Sequence, residues 1–231
     1  PYTLSLPSFG APAQQSYSPA ATAGNGQRKL ARGSSGTLYL TYESEGDIFF
    51  TKSTDNGSSW SQAAYLSKGY VPSEYPSIAE RGGHIYVVWH TKLATSVYDV
   101  AYNYSTNDGS TWRAAPVSLS GAIGSPAPGP TPAIALTKPS GSFEIIVVFR
   151  ESSRLTSRHS TTTPPASSSN WTTVNVANTT SSSKNPSLWY HPNSWPPFRL
   201  AWDEAGASVK HQYFYYSSWS SLQTFDPPYS Q

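Results

Sequence analysis

Four ionisable side chains stand at matching points of this sequence: Glu43, His90, Arg150 and Asp203. Each follows a short apolar run that ends in an aromatic residue: Tyr42, Trp89, Phe149 and Trp202. Carboxylates, an imidazole and a guanidinium gathered at one mouth could hydrogen-bond sugar hydroxyls, with Tyr42, Trp89 and Trp202 beside them as stacking surfaces. The competing reading is that these are strand ends meeting solvent, where charges are ordinary. Other chemistries find less support. His84, His90, His159, His191 and His211 show no His-x-x-x-His ligand spacing. The lack of cysteine leaves no disulfide, zinc thiolate or thiol nucleophile to consider. There is no glycine-rich phosphate loop. The expectation is therefore no metal site and no cofactor.

The runs that would position these residues repeat. Leu38–Tyr42, Ile85–Trp89, Ile145–Phe149 and Phe198–Trp202 share one pattern, and their last aromatics are spaced 47, 60 and 53 residues apart. The runs are short and rich in β-branched and aromatic residues, which favours strands over helices. A β-only period of roughly 50 residues reads as propeller blades or a related array. Four units of four strands follow, in the ranges 25–70, 75–120, 130–177 and 184–226. Strands B and C are expected at 37–43 and 47–52, 84–90 and 98–104, 143–150 and 154–159, and 197–203 and 208–216. Strand D of the last unit is placed at 219–225.

A second repeat punctuates the first two units. Ser53-Thr54-Asp55-Asn56-Gly57-Ser58-Ser59-Trp60 and Ser105-Thr106-Asn107-Asp108-Gly109-Ser110-Thr111-Trp112 lie 52 positions apart, each after a strand. Ser-x-Asp-x-Gly-x-x-Trp on a strand C to strand D turn resembles the Asp-box of the sialidase-like (BNR-repeat) β-propellers, over roughly residues 25–225. Ser53, Asp55, Gly57 and Trp60 match fully; Ser105, Asn107, Gly109 and Trp112 match with Asn in place of Asp. The chemistry is structural. A short polar side chain accepts N–H bonds within its own turn, glycine permits positive φ, and the tryptophan folds back over the hairpin. Asn107 keeps an acceptor oxygen, so the second turn should also close.

The resemblance implies an all-β, sialidase-like propeller of about four recognisable antiparallel blades, either part of a larger propeller or closed by a terminal strand. It also implies ligand binding on the face opposite the Asp-boxes. For the enzymes of the family it implies three arginines clamping a carboxylate, a Tyr nucleophile paired with Glu, and an Asp acid/base. No arginine here stands in an Arg-Ile-Pro or Arg-Leu-Pro motif, and four blades are found where those enzymes use six. No catalytic residue is assigned.

Only 12% of residues are charged and the net charge is +2, which argues against a nucleic-acid groove or a polybasic membrane patch. No apolar run approaches the ~20 residues of a membrane helix. Sixteen glycines and 20 prolines, with abundant Ser, Thr and Asn, suit many short strands and polar turns, and lean towards an extracellular or cell-surface protein. Asn56, Asn103, Asn170 and Asn178 head Asn-x-Ser/Thr glycosylation sequons. The chain starts at Pro1 without a signal-like stretch and reads as a mature or trimmed product. Residues 1–20 are expected to form an extended strand and linker. Pro1–Pro7 alternates like a strand in search of a partner, and could close the ring or pair with a second molecule. The functional expectation is a non-catalytic propeller for carbohydrate binding, adhesion or surface interaction, with glycans or glycoproteins as partners. Two alternatives stand beside it: a structural subunit of an extracellular filament or surface layer assembled as a homo-oligomer through the N-terminal strand, and an exo-glycosidase of sialidase type.

Overall fold

A stretch such as Ile145-Ile146-Val147-Val148-Phe149 has no polar face, so as a strand it must be covered on both sides. The fold meets that requirement by standing four antiparallel sheets side by side. The computed structural model describes residue 22 and residues 27–69, 72–125, 129–137, 144–191, 196–204, 208–215 and 217–225. Blade 1 comprises β1 (Leu30–Arg32), β2 (Leu38–Ser44), β3 (Asp47–Ser53) and β4 (Ala64–Tyr65). Blade 2 comprises β5 (Ser73–Arg81), β6 (His84–Ala94), β7 (Val97–Ser105) and β8 (Val117–Ser118), with β9 (Ile123–Gly124) also pairing with β7. Blade 3 comprises β10 (Ala133–Thr137), β11 (Glu144–Glu151), β12 (Arg154–Ser160) and β13 (Thr172–Asn175). Blade 4 comprises β14 (Ser183–Tyr190), β15 (Phe198–Glu204), β16 (Ser208–Tyr215) and β17 (Ser218–Trp219), with β18 (Gln223–Phe225) also on β16. The outer strand expected as one piece in the last unit is thus split in two. The strand expected over Pro1–Pro7 lies outside the described residues.

Alternate residues of each strand enter different seams. Tyr39, Ile48 and Phe50 of blade 1 meet Ile78, Ile85, Val87 and Trp89 of blade 2. The opposite face of blade 2, with Tyr86, Val88 and Tyr102, meets Ile134, Ile145, Val147 and Phe149 of blade 3. Ile146 and Val148 then turn to Leu188, Leu200, Trp202 and Phe214 of blade 4. Three apolar seams thus join four consecutive blades, and burial of these side chains at about 25 cal/mol per Å² supplies the main favourable term. Backbone bonds stitch the inner ends: Ile78 N–H donates to the Arg28 carbonyl (2.8 Å) and Arg150 N–H to the Pro130 carbonyl (2.8 Å).

The two repeated turns close alike. Ser53 Oγ accepts from Gly57 N–H (2.8 Å) and donates to Asp55 Oδ1 (2.7 Å), which also accepts from Ser59 N–H (2.8 Å). Hydrogen bonds from Ser59 and Ser53 pull the Asp55 carboxyl down to about 2. In the second turn Ser105 Oγ accepts from Gly109 N–H (2.9 Å), and Asn107 Oδ1 accepts from Ser105 Oγ and Thr111 N–H (both 2.9 Å). The hydroxyl bond reverses: Ser59 donates to Asp55, whereas the Asn107 amide donates to Thr111 Oγ1. The tryptophans differ too. Trp60 lies by its own turn, where a Cβ on Gly57 would be 3.9 Å from its ring, but Trp112 reaches across the seam to Phe50, 4.7 Å between ring centres. Asn103, one of the four sequons, is buried, and its amide donates to the Leu66 and Arg113 carbonyls. A buried strand amide held by two acceptors cannot carry a glycan, so that site is withdrawn.

Candidate functional site

The residues after strand B are held by separate partners. Glu43 Oε1 accepts Gly46 N–H (2.8 Å) and fastens its own hairpin. Arg150 is 7% exposed, and its guanidinium donates to the Ser181 carbonyl (2.5 Å) in the link to blade 4. Asp203 Oδ2 accepts from Asn185 Nδ2 (2.8 Å) on β14. His90 is wholly buried, its ring between those of Tyr75 (5.2 Å) and Tyr98 (4.9 Å), with Nε2 3.4 Å from Glu74 Oε2. These bonds run to four different places rather than to one another, so no shared mouth forms from them. Nor are the expected stacking surfaces available. Trp89 is 0%, Trp202 2% and Tyr42 3% exposed. Trp89 and Trp202 fill blade seams, Trp202 Nε1 donates to Glu204 (3.2 Å), and Tyr42 stacks on Phe49 at 5.6 Å. Strand B is an inner strand with both faces covered, so its terminal aromatics belong to the core.

His90 is instead the buried centre of a titratable cluster, on the face of blade 2 turned to blade 3, with half-buried Lys29 and exposed Glu74 around it. Its Nδ1 finds no hydrogen-bond partner among the described residues. A Cβ at Gly129 would come within 2.6 Å of its ring, so the D–A link closes tightly over it. Burial lowers the His90 pKa; Glu74 opposes that shift, while Lys29 adds to it. Lys29 Nζ donates to the Pro76 carbonyl (2.5 Å), and desolvation brings it down to about 7. Glu74 is lowered, chiefly by its bond to His90. Both cationic groups sit below their unfolded values, so the unfolded state takes up protons first and acidification destabilises the fold. Stability should therefore fall between pH 10.5 and 7 through Lys29, and again below 6.5 through His90. Denaturation followed across this range should show Lys29→Met losing the upper part of the slope and His90→Gln part of the lower. His211, with the same sign, remains to carry the rest. A parent curve flat from pH 8 to 5.5 would contradict the burial of the cluster.

A concave site does exist, on strands that the sequence pattern did not single out. The residues leading into β1, together with β5, β10 and β14, enclose an axial cavity of about 330 Å³. Gln27 and Arg28 enter from blade 1, Ser77 from blade 2 and Ala133 from blade 3. Ser187, Leu188 and Trp189 come from blade 4. Gln27 is fixed by donating to the Thr131 carbonyl (3.1 Å), which leaves its amide oxygen as an acceptor. At the other end of these strands Arg81 lies over the Tyr190 ring, 5.1 Å from its centre, so blades 2 and 4 meet across the axis. The lining thus offers a guanidinium, an amide, two hydroxyls and a partly exposed indole. No carboxylate lines it among the described residues. A signal for these residues was available: the first strand of a propeller blade borders the axis, so polar residues along that strand are the ones to inspect.

No family model and no curated protein matches the chain. Solved structures do. A point mutant of the NanB sialidase from Streptococcus pneumoniae superposes with a TM-score of 0.54 at 19% identity, covering 76% of this chain and 27% of that one. The α-L-arabinofuranosidase Arb93A from Fusarium graminearum gives 0.60 at 14%, covering 85% and 64%. A triple-arginine mutant of AofleA from Arthrobotrys oligospora gives 0.57 at 13%, covering 83% and 54%. The chain therefore has the sialidase-like β-propeller fold, and spans less than two thirds of the length of each of these structures.

Proposed function

We propose that this propeller binds carbohydrate in its axial cavity and does not hydrolyse it. The observation that carries the reading is the cavity lining: hydrogen-bonding side chains from blades 1, 2 and 4 around one indole, with no carboxylate among the described lining residues. Neutral and charged polar groups with a single aromatic wall suit a sugar, whose ring stacks while its hydroxyls are bonded. Glycoside cleavage in most families needs two carboxyl groups flanking the bond, about 5–10 Å apart, and the lining provides neither. Two of the similar structures are named as a sialidase and an arabinofuranosidase, which supports a carbohydrate ligand for this fold. Such a ligand would place the protein at or outside the cell surface.

Titration of glycans selected on an array tests the reading. Arg28→Ala and Trp189→Ala should each weaken binding about tenfold or more, a loss of ~1.4 kcal/mol, with little change in stability. A panel of fluorogenic glycosides should show no turnover. Turnover, or binding indifferent to both substitutions, would overturn the proposal.

A further inference from the structure

A second pocket lies away from the axis, at the outer end of the seam between blades 1 and 2. Its volume is about 490 Å³, and Lys52, Lys68 and Arg113 all line it. No carboxylate does among the described residues. In a chain with 15 basic and 13 acidic residues, three cations in one groove without a counter-charge is an uneven allocation. Two carboxylates on the adjoining elements are already hydrogen-bonded, Asp47 to the groove's own Tyr65. Asp47 accepts from Tyr65 Oη (3.0 Å) and Ser67 Oγ (3.1 Å), and Asp108 from Tyr39 Oη (2.6 Å).

The cations are partly pre-positioned. Lys52 Nζ donates to the Asp108 carbonyl (2.8 Å) and lies 3.4 Å from Ser110 Oγ, which ties blade 1 to the second repeated turn. Arg113 Nη1 donates to the Ala115 carbonyl (2.5 Å), which holds the fork in place. Lys68 is exposed. Two aromatic residues flank the groove: Tyr65, 37% exposed, and Trp112. The Trp112 ring rests on Phe50, and its Nε1 has no hydrogen-bond partner among the described residues.

The geometry points to a binding site for an anionic glycan, carrying sulfate or carboxylate groups, in the groove between blades 1 and 2. Acidic groups would pair with Lys52, Lys68 and Arg113, and the sugar rings would lie along Tyr65 and Trp112. The open, solvent-exposed setting makes the pairing sensitive to salt. The site shares no residue with the axial cavity, so each proposal can fail without the other.

The test is calorimetric titration with a sulfated heparin-type tetrasaccharide, a tetragalacturonate and neutral maltotetraose. At low salt, saturable binding of the sulfated or the uronate probe in this groove, but not of maltotetraose, is expected, and the preferred anion identifies the acidic group. Lys68→Glu/Arg113→Glu should weaken it at least about tenfold, and raised salt should weaken it too. Arg28→Ala should leave it unchanged. In the parent protein the Trp112 indole NMR signal should shift during the titration, a readout independent of whether the charge-reversed variant folds. No saturable binding of either anion at low salt, an equal shift of the Trp112 signal with maltotetraose, or full affinity in a folded Lys68→Glu/Arg113→Glu variant would each overturn the proposal.

Discussion

Gly109→Ala is expected to melt about 5–15 °C below the parent, whereas Gly57→Ala, at the same place in the matching turn, should lose only a few degrees. Both glycines have positive φ, +71° and +90°. An alanine there carries a conformational cost of about 1–2 kcal/mol in either turn. The turns differ in what lies outside them. A Cβ on Gly109 would sit 2.6 Å from two ring atoms of Phe50, while a Cβ on Gly57 would meet nothing closer than Leu38 Cδ1 at 3.8 Å. Phe50 is 2% exposed and flanked by Tyr39 and Trp112, so it has no room to withdraw. Overpacking of that kind adds about 1–3 kcal/mol. Thermal denaturation of the two single variants checks this. Equal shifts would mean that the second turn is not wedged against blade 1. A Phe50→Leu background should recover part of the Gly109→Ala loss, because the two residues share one contact.

Trp89→Ala should be destabilised by about 3–5 kcal/mol, with a melting temperature lower by roughly 6–20 °C. The side chain is fully buried in the blade 1–2 seam, and its loss leaves a large cavity among Ile78, Val87 and Ala101. Trp189→Ala should act oppositely, altering ligand affinity and leaving the melting temperature nearly unchanged, because its indole borders the axial cavity rather than filling a seam. Parallel thermal and binding measurements on the two variants separate the roles. A Trp89→Ala protein with parental stability and no glycan binding would restore Trp89 as a stacking surface.

The blades were legible in the sequence, and their functional residues largely were not. Asp55 and Asn107 close turns through bonds within seven residues of chain, so their roles follow from spacing alone. The strand positions were equally readable, since the runs Leu38–Tyr42 through Phe198–Trp202 sit within β2, β6, β11 and β15. What failed was the reading of faces. Strand B is buried on both sides, so no polar alternation distinguishes a core aromatic such as Trp89 from an exposed one such as a mouth would need. His90 and Arg150 looked like strand ends meeting solvent and are covered by the D–A links.

The sequence by itself determined the local architecture: four-stranded units, repeated hairpins and the two stapled turns, because the strand preference of β-branched and aromatic runs and side-chain-to-backbone bonds act over a few residues. The tertiary structure alone decided where a ligand can go. The axial cavity draws on residues from 27 to 189, and the basic groove joins Lys52 and Lys68 to Arg113. Such sites arise from blades packed side by side. Their residues are neighbours only across seams, and seam packing is set by long-range burial that no local spacing encodes.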